Sequence, residues 1–404
     1  MQTSLADFIR NSDVGEEADS ILRSCVHCGF CNATCPTYQV LGNELDGPRG
    51  RIYLIKQVLE GEPVTDKTQT HLDRCLTCRN CETTCPSGVR YGQLVDIGRK
   101  VVEERVGRPW LARLQRFGIR KVFASPGLVR LGLAMARPLK RFLPPRLRGA
   151  IPDARSAGRW PSTSHPRTMV VLSGCVQSAA APQINVAAAR ILDRLGIALT
   201  DSPASGCCGA LEFHLNRQDI GLDRAKANID AWVRELDAGA EAIVMTASGC
   251  GAMVKEYAHL LRHDSEYRDK ANRVVAATKD LLEVLDGETL DALSVNSESI
   301  AFHAPCTLQH GQKLAGLGER VMRRLGFSPL PFTDNHLCCG SAGSYSLLNP
   351  ELAGTLRARK VAALEATKTE TIVTANIGCL MHLQAGTELP VRHWAETLAE
   401  RLSD

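Results

Sequence analysis

Hydrophobic spacing changes character part-way along the chain. In the first hundred residues apolar positions recur at helical intervals. Ile52, Ile55 and Leu59 fall on one face of a run that follows Gly47-Pro48 and stops at Gly61. Beyond residue 167 the apolar positions form short unbroken runs instead: Thr168 to Leu172, Glu241 to Thr246, Ser299 to His303 and Glu370 to Thr374. Ala187 to Leu195 reads as a helix ended by Gly196. Short β-type runs alternating with helical stretches predict a parallel sheet. Between the two regions Leu128, Val129, Leu131, Leu133, Met135, Leu139, Phe142 and Leu143 interleave with Arg and Lys, and a Pro/Arg/Ser-rich linker follows from Pro144 to Pro166. The expected organisation is a helical module at 1–104, a basic amphipathic connector at 105–167, and α/β domains at 168–290 and 291–404.

Sixteen cysteines sharpen this outline. Cys25, Cys28, Cys31, Cys35 and Pro36 follow the spacing C-x2-C-x2-C-x3-C-P, and Cys75, Cys78, Cys81, Cys85 and Pro86 repeat it. This is the spacing of two-cluster ferredoxins, whose fourth cysteine ligates the other cluster. The expectation is one [4Fe–4S] cluster on Cys25, Cys28, Cys31 and Cys85, and a second on Cys75, Cys78, Cys81 and Cys35. Zinc sites pair their ligands differently, usually as two Cys-x-x-Cys or Cys/His pairs per metal. Met1 to Asp19 has no apolar core and carries acids, so it does not read as a secretory signal. In a reducing cytosol these thiols stay free for metal.

The remaining eight cysteines also repeat. Cys175, Cys207-Cys208-Gly209 and Cys250 recur as Cys306, Cys338-Cys339-Gly340 and Cys379, at offsets of 131, 131 and 129 residues. A repeat of that length means two copies of one domain. Each cysteine series begins and ends just past a predicted strand, where open α/β sheets place functional groups. Burial as small hydrophobes would explain one or two of them, but not a repeated Cys-Cys-Gly. His303 and His310 flank Cys306 and are read as loop histidines, because copy one has Leu172 and Ala179 in the matching places. Arg49 and Arg51 are read as a solvated helix start.

The net charge is +4, but fifteen Lys or Arg against one acid, Asp153, lie between Arg105 and Arg167, leaving about −10 elsewhere. Such a stretch suits an anionic membrane surface, an acidic partner subunit, or a plain connector, and the charge pattern does not choose. No apolar run approaches the roughly 18 residues of a membrane span. Few aromatics and no reader fold speak against nucleic acid. No G-x-G-x-x-G follows a strand and no P-loop is present. Clusters without a hydride-handling cofactor indicate an electron wire, with no catalytic residue of its own and the catalytic cofactor on another chain.

These residues carry resemblances. The first hundred resemble the helical ferredoxin module of respiratory dehydrogenase iron–sulfur subunits. The pattern C-x31-C-C-G…C resembles the cysteine-rich CCG domain of heterodisulfide reductase subunits, whose motif closes with C-x-x-C and can cradle a non-cubane cluster. Here the first cysteine of that final pair is Ala247 in copy one and Asn376 in copy two. Each copy keeps four cysteines, so a further cluster, a quinone-interacting site and a structural remnant all stay open. The chain is similar end to end to the iron–sulfur subunits of bacterial glycolate oxidases (glycolate dehydrogenases). Cys25-Val-His-Cys-Gly-Phe-Cys, the run from Glu44 to Gly61, Thr246-Ala-Ser-Gly-Cys-Gly and Thr374-Ala-Asn-Ile-Gly-Cys carry that likeness.

The resemblance implies a mainly helical ferredoxin-like module followed by two α/β CCG repeats. It implies flavoprotein partner subunits, one bearing FAD where glycolate becomes glyoxylate, and electron transfer towards a quinone. It also implies a cytoplasmic location, or a peripheral one on the inner membrane. The neighbouring readings are the iron–sulfur subunits of anaerobic glycerol-3-phosphate dehydrogenase or of a lactate-utilisation complex, and a thiol–disulfide reductase working through the CCG cysteines.

Overall fold

The computed structural model describes residues 1–142, 148–149 and 151–402, so Leu143 and the first part of the expected linker lie outside the described residues. The chain forms two compact units. One comprises residues 1–117 with 336–356, and the other residues 118–335 with 357–404. The second Cys-Cys-Gly therefore belongs to the first unit.

The first unit is helical. Ser12 caps the helix Asp13–Ser24 by accepting the Gly15 N–H, and Thr65 caps Asp66–Asp73 in the same way through Thr68. The helix anticipated around Ile52 begins at Pro48, whose missing N–H costs nothing in the first turn, and runs to Leu59. It crosses the helix Tyr91–Val106 so closely that a Cβ on Gly98 would lie 2.6 Å from Ile55 Cγ1. Ile21, Leu22, Ile55, Leu59, Leu72 and Leu94 form the core between these helices. The solvated helix start holds for Arg49, which is partly exposed and pairs with Glu44, but not for Arg51. Arg51 is 1% exposed. The first turn of its helix is buried, and carbonyl and hydroxyl acceptors stand ready for its guanidinium: His71 O at 2.7 Å from Nε and Thr37 Oγ1 at 3.2 Å from both Nη atoms.

The second unit contains two four-stranded parallel sheets of the same order. In the first, β1 (Arg167–Val171) lies between β2 (Ile197–Asp201) and β3 (Ile243–Met245), and β4 (Thr278–Asp280) flanks β3. In the second, β5 (Glu298–His303) lies between β6 (Phe327–Pro329) and β7 (Ile372–Thr374), with β8 (Val391–His393) outside β7. Arg167 pairs with Ile197 and Glu298 with Phe327, so the register starts alike in both copies. The central strands β1, β3, β5 and β7 are the four apolar runs of the sequence. One core joins the copies, drawing Met169, Val171 and Val244 from the first and Phe302, Val373 and Trp394 from the second. The pair is thus pseudo-symmetric.

His303 and His310 are not loop histidines. His303 ends β5, is fully enclosed, and lies 3.1 Å from Thr374 Oγ1 on the paired strand. His310 is buried in the helical turn Thr307–Gly311. Strand β5 runs through the middle of its sheet, and this carries both residues inward.

His393 links the copies. Its Nδ1 accepts the Ala395 N–H at 3.2 Å and its Nε2 donates to Thr246 O at 2.9 Å, an arrangement for neutral imidazole protonated on Nε2. Burial pushes its pKa down to about 4. Asp280, the corresponding cap in copy one, is pushed up to about 7 by burial. The two act oppositely. The His393 contribution is complete above its unfolded pKa and is lost as pH falls towards 4, whereas that of Asp280 declines as pH rises from its unfolded pKa towards 7. Replacing His393→Gln should cost about 2 kcal/mol at neutral pH. In urea unfolding at a series of pH values, the gap between wild type and variant should close between pH 6.5 and about 4.

Candidate metal centres

The two four-cysteine motifs fold as conformational twins. Each begins where a helix ends, at Cys25 after Asp13–Ser24 and at Cys75 after Asp66–Asp73 with Arg74. Each then bends through two left-handed residues, His27 and Gly29 in one, Thr77 and Arg79 in the other. Gly29 suits this turn because its φ is +87°, which glycine adopts without strain. Arg79 adopts the same conformation without that freedom, at a cost of about 1 kcal/mol. A short helix follows, Phe30–Ala33 or Asn80–Thr84. Pro36 then opens the next helix directly after Cys35.

These turns aim the sulfurs into two cavities. The first is lined by Cys25, Cys28, Cys31 and Cys85. The second is lined by Cys35, Cys75, Cys78 and Cys81. Cys81 and Tyr91 line both, so the cavities share a wall. The fourth cysteine of each motif is brought to the other motif's triplet.

The donor chemistry suits iron–sulfur clusters. Each cavity gathers one motif's triplet and the other motif's fourth cysteine, and none of these thiols is in a disulfide. Burial, together with the neighbouring Cys25, Cys85 and Cys28 sulfurs, pushes Cys31 up to about 11. Burial first, then Cys78 and Cys75, raises Cys81 well above the usual thiol range. Free thiols with such values stay protonated at neutral pH, and coordination to a metal deprotonates them. Hydrogen-bond donors already face the second cavity's sulfurs: the Thr77 N–H at 3.4 Å and the Tyr91 hydroxyl at 3.6 Å from Cys75 Sγ.

In the second unit Cys175, Cys207, Cys208 and Cys250 also come together. Cys175 follows β1, and Cys250 sits in the first turn of the helix Ser248–Lys255 after β3. The Cys-Cys turn is pinned by Asn228, which accepts the Gly206 N–H at 2.8 Å and donates to Cys207 O at 3.0 Å. Tyr257 donates to Cys208 O at 2.8 Å. Gly209 is obligatory, with φ +84° and the Gly221 carbonyl oxygen 2.6 Å from where a Cβ would stand. Contact with the Cys175 and Cys208 thiols lowers the pKa of Cys207, and the same contacts raise theirs. Cys250 bonds to Cys208 in turn.

The second copy does not reproduce this cluster within one unit. Cys306 and Cys379 lie in the second unit, Cys338 and Cys339 in the first. Asn376, where the motif's further cysteine would stand, accepts the Gly249 N–H at 3.2 Å and donates to Cys379 Sγ at 3.6 Å. Ala247, the matching position in copy one, is buried beside this junction, where Ser248 N–H donates to Ala375 O at 3.2 Å. The two departures from the motif thus fall where the copies interlock.

Comparison with known proteins agrees with this arrangement. Residues 21–89 match the family described as 4Fe-4S dicluster domain. Residues 169–255 and 300–384 each match the family described as cysteine-rich domain. A crystal structure of a hypothetical protein from Helicobacter pylori shares the fold, with TM-score 0.57 and 10% identity over 98% of this chain and 73% of that one. By fold and site the chain is an iron–sulfur protein of the electron-transferring class, with a dicluster module and two cysteine-rich repeats.

The glycolate oxidase iron-sulfur subunit of Escherichia coli (strain K12) is 54% identical over 404 residues, 100% of this chain and 99% of that one. The probable glycolate oxidase iron-sulfur subunit of Bacillus subtilis (strain 168) is 32% identical over 95% of this chain and 91% of that one. Lactate utilization protein A of Geobacillus kaustophilus (strain HTA426) is 26% identical over 54% of this chain. The chain belongs to the family of glycolate oxidase iron–sulfur subunits.

Proposed function

We propose that this chain carries electrons within a glycolate-oxidising complex. One [4Fe–4S] cluster is held by Cys25, Cys28, Cys31 and Cys85, and a second by Cys75, Cys78, Cys81 and Cys35. The observation that carries this reading is the pair of cavities with a common wall, each gathering one motif's triplet and the other motif's fourth cysteine. Such clusters, when bound, take up and release single electrons. Glycolate is preferred to lactate because identity to the glycolate oxidase subunit extends over the whole chain, against 26% over 54% of it for the lactate utilization protein. Substrate oxidation belongs to a flavoprotein partner bearing FAD, and the electrons pass on to a quinone.

The four sulfurs Cys175, Cys207, Cys208 and Cys250 form the site for a further cluster. Their position past strands of a parallel sheet and their mutual contact support this. A second reading, thiol–disulfide exchange at Cys207, is favoured by its thiolate character. The second-copy cysteines Cys306, Cys338, Cys339 and Cys379 are divided between the two units and carry no assignment.

Peripheral membrane contact is part of the proposal. No helix among the described residues is long and apolar enough to cross a membrane. The helix Trp110–Phe123 exposes Trp110, Leu111, Leu114 and Phe117, and the helix Pro126–Leu139 exposes Leu128, Leu131, Met135 and Leu139. Both helices are basic, which suits an anionic lipid surface.

Anaerobically purified protein should contain about eight iron and eight sulfide if only the first unit binds clusters, and about twelve of each if the cysteine-rich site binds one too. The third-cluster assignment fails at eight, and zinc in place of iron defeats the whole reading. Cys85→Ser should perturb the electron paramagnetic resonance (EPR) signal belonging to the Cys25 triplet, and Cys35→Ser the other signal. Perturbation of the opposite centres would refute the crossed assignment. Co-expressed with its flavoprotein partners, the chain should be required for glycolate-dependent reduction of a quinone analogue. Retention of that activity in Cys207→Ser, with no heterodisulfide turnover by wild type, excludes thiol exchange.

A further inference from the structure

One buried guanidinium lines the second cavity and another stands behind it on the Cys75 backbone, and neither is explained by cysteine ligation. Arg51 comes from the helix Pro48–Leu59, lines this cavity, and is 1% exposed. Both its Nη atoms lie 3.2 Å from Thr37 Oγ1, and that hydroxyl lies 3.3 Å from Cys35 Sγ. Thr37 in turn donates to Asp46 O at 2.8 Å. One hydroxyl therefore separates the Arg51 charge from a cavity sulfur.

Arg99, from the helix Tyr91–Val106, is 7% exposed and approaches through Cys75. Its Nη2 donates to Cys75 O at 2.7 Å and to Leu72 O at 2.8 Å. Both guanidinium groups bond mainly to neutral carbonyls or a hydroxyl, so these bonds orient the charges without cancelling them. The buried anion in this region is Asp46. It is shared among His71 Nδ1 at 3.0 Å, Arg74 Nη1 at 3.1 Å and Arg51 Nη2 at 3.7 Å. With Arg51, Arg99 and Arg74 against one carboxylate, these groups carry net positive charge.

The first cavity is built differently. Its lining guanidinium, Arg49, is 36% exposed and bonds Glu44 Oε1 at 2.6 Å. Its charge is matched by a carboxylate and screened by water, whereas at the second cavity low effective dielectric preserves the field. The guanidinium is basic enough to stay charged where it is enclosed.

We propose that Arg51 and Arg99 set the reduction potential at the second cavity. Their unscreened positive charges favour the state with one more electron on the group held by Cys35, Cys75, Cys78 and Cys81. They are positioning residues for electron transfer. They ligate nothing, but they make this centre easier to reduce than its sulfur set alone would make it. The inference rests on the two-cluster reading, and it adds an electrostatic bias between two centres that share a wall. Asp46 works against that bias and so gives a test of opposite sign.

The test is potentiometric titration of the full chain with dithionite, followed by EPR. Wild type, Arg51→Gln, Arg51→Lys, Arg99→Gln and Asp46→Asn are compared. At a fixed ambient potential Arg51→Gln should lower the reduced-to-oxidised ratio of one centre by about tenfold or more, which for a one-electron couple is ~59 mV. Arg99→Gln should move the same centre in the same direction. The other centre should move much less. Arg51→Lys should recover most of the ratio, and Asp46→Asn should raise it.

Equal shifts in both centres would show a general loosening of packing and would overturn the proposal. So would unchanged ratios in Arg51→Gln and Asp46→Asn. Should Arg51→Gln fail to retain iron, Asp46→Asn and Arg51→Lys decide the matter, since they preserve side-chain size and charge respectively. Absence of any reducible iron–sulfur signal in wild type would instead defeat the two-cluster reading, a result distinct from unmoved potentials.

Discussion

Eight cysteines gathered around two adjoining cavities, half of them buried, dominate the first unit. A thiol is a poor hydrogen-bond partner, and burial makes it a poor acid, so this concentration of sulfur contributes little as ordinary core. The surrounding structure nevertheless goes to some length to hold it. Left-handed residues at His27, Thr77 and Arg79 accept backbone strain. Gly29 takes the same left-handed turn without that strain. Each motif commits its last cysteine to the other motif's cavity, so neither half of the unit completes a site alone. The helices Pro48–Leu59 and Tyr91–Val106 pack tightly at Gly98 and frame both cavities.

The cysteine-rich unit solves a different problem. Two short parallel sheets, each too small to bury its own faces well, share one core that runs from Met169 and Val244 to Phe302 and Trp394. The links between copies are polar as well as apolar. His393 reaches Thr246, and Asn376 reaches Gly249. Those links occupy or adjoin the two positions at which the chain lacks the cysteine that the repeat pattern leads one to expect. The substitution that removes a sulfur from one site therefore supplies a hydrogen bond to the neighbouring copy. Copy one retains four sulfurs in contact, whereas copy two divides its four between units.

Charge is used differently at the surface and in the interior. The basic helices after Gly107 leave large apolar side chains exposed, an arrangement that favours contact with another surface. Inside the first unit, positive charge is placed where water cannot screen it. Arg51 and Arg99 meet carbonyl oxygens and a hydroxyl, and a single buried carboxylate, Asp46, is divided among several cations. The same residue type thus serves as a solvated pair with Glu44 at position 49 and as an enclosed charge two residues later.

The cysteine spacing, the central strands and the duplication were legible in the sequence because each rests on short-range regularity. Three cysteines at fixed intervals, an apolar run of three to six residues and a repeated Cys-Cys-Gly need no knowledge of distant contacts. The edge strands β2, β4, β6 and β8 were not anticipated, because their short mixed sequences become strands only by pairing with β1, β3, β5 and β7. Tertiary structure alone decided that Arg51 is enclosed, that His303 ends a central strand, and that residues 336–356 join the helical unit. In each case the deciding partner is far away in sequence: His71 for Arg51, Thr374 for His303. A side chain's own neighbours in the chain state what it is able to bond, but burial depends on which segments fold against it.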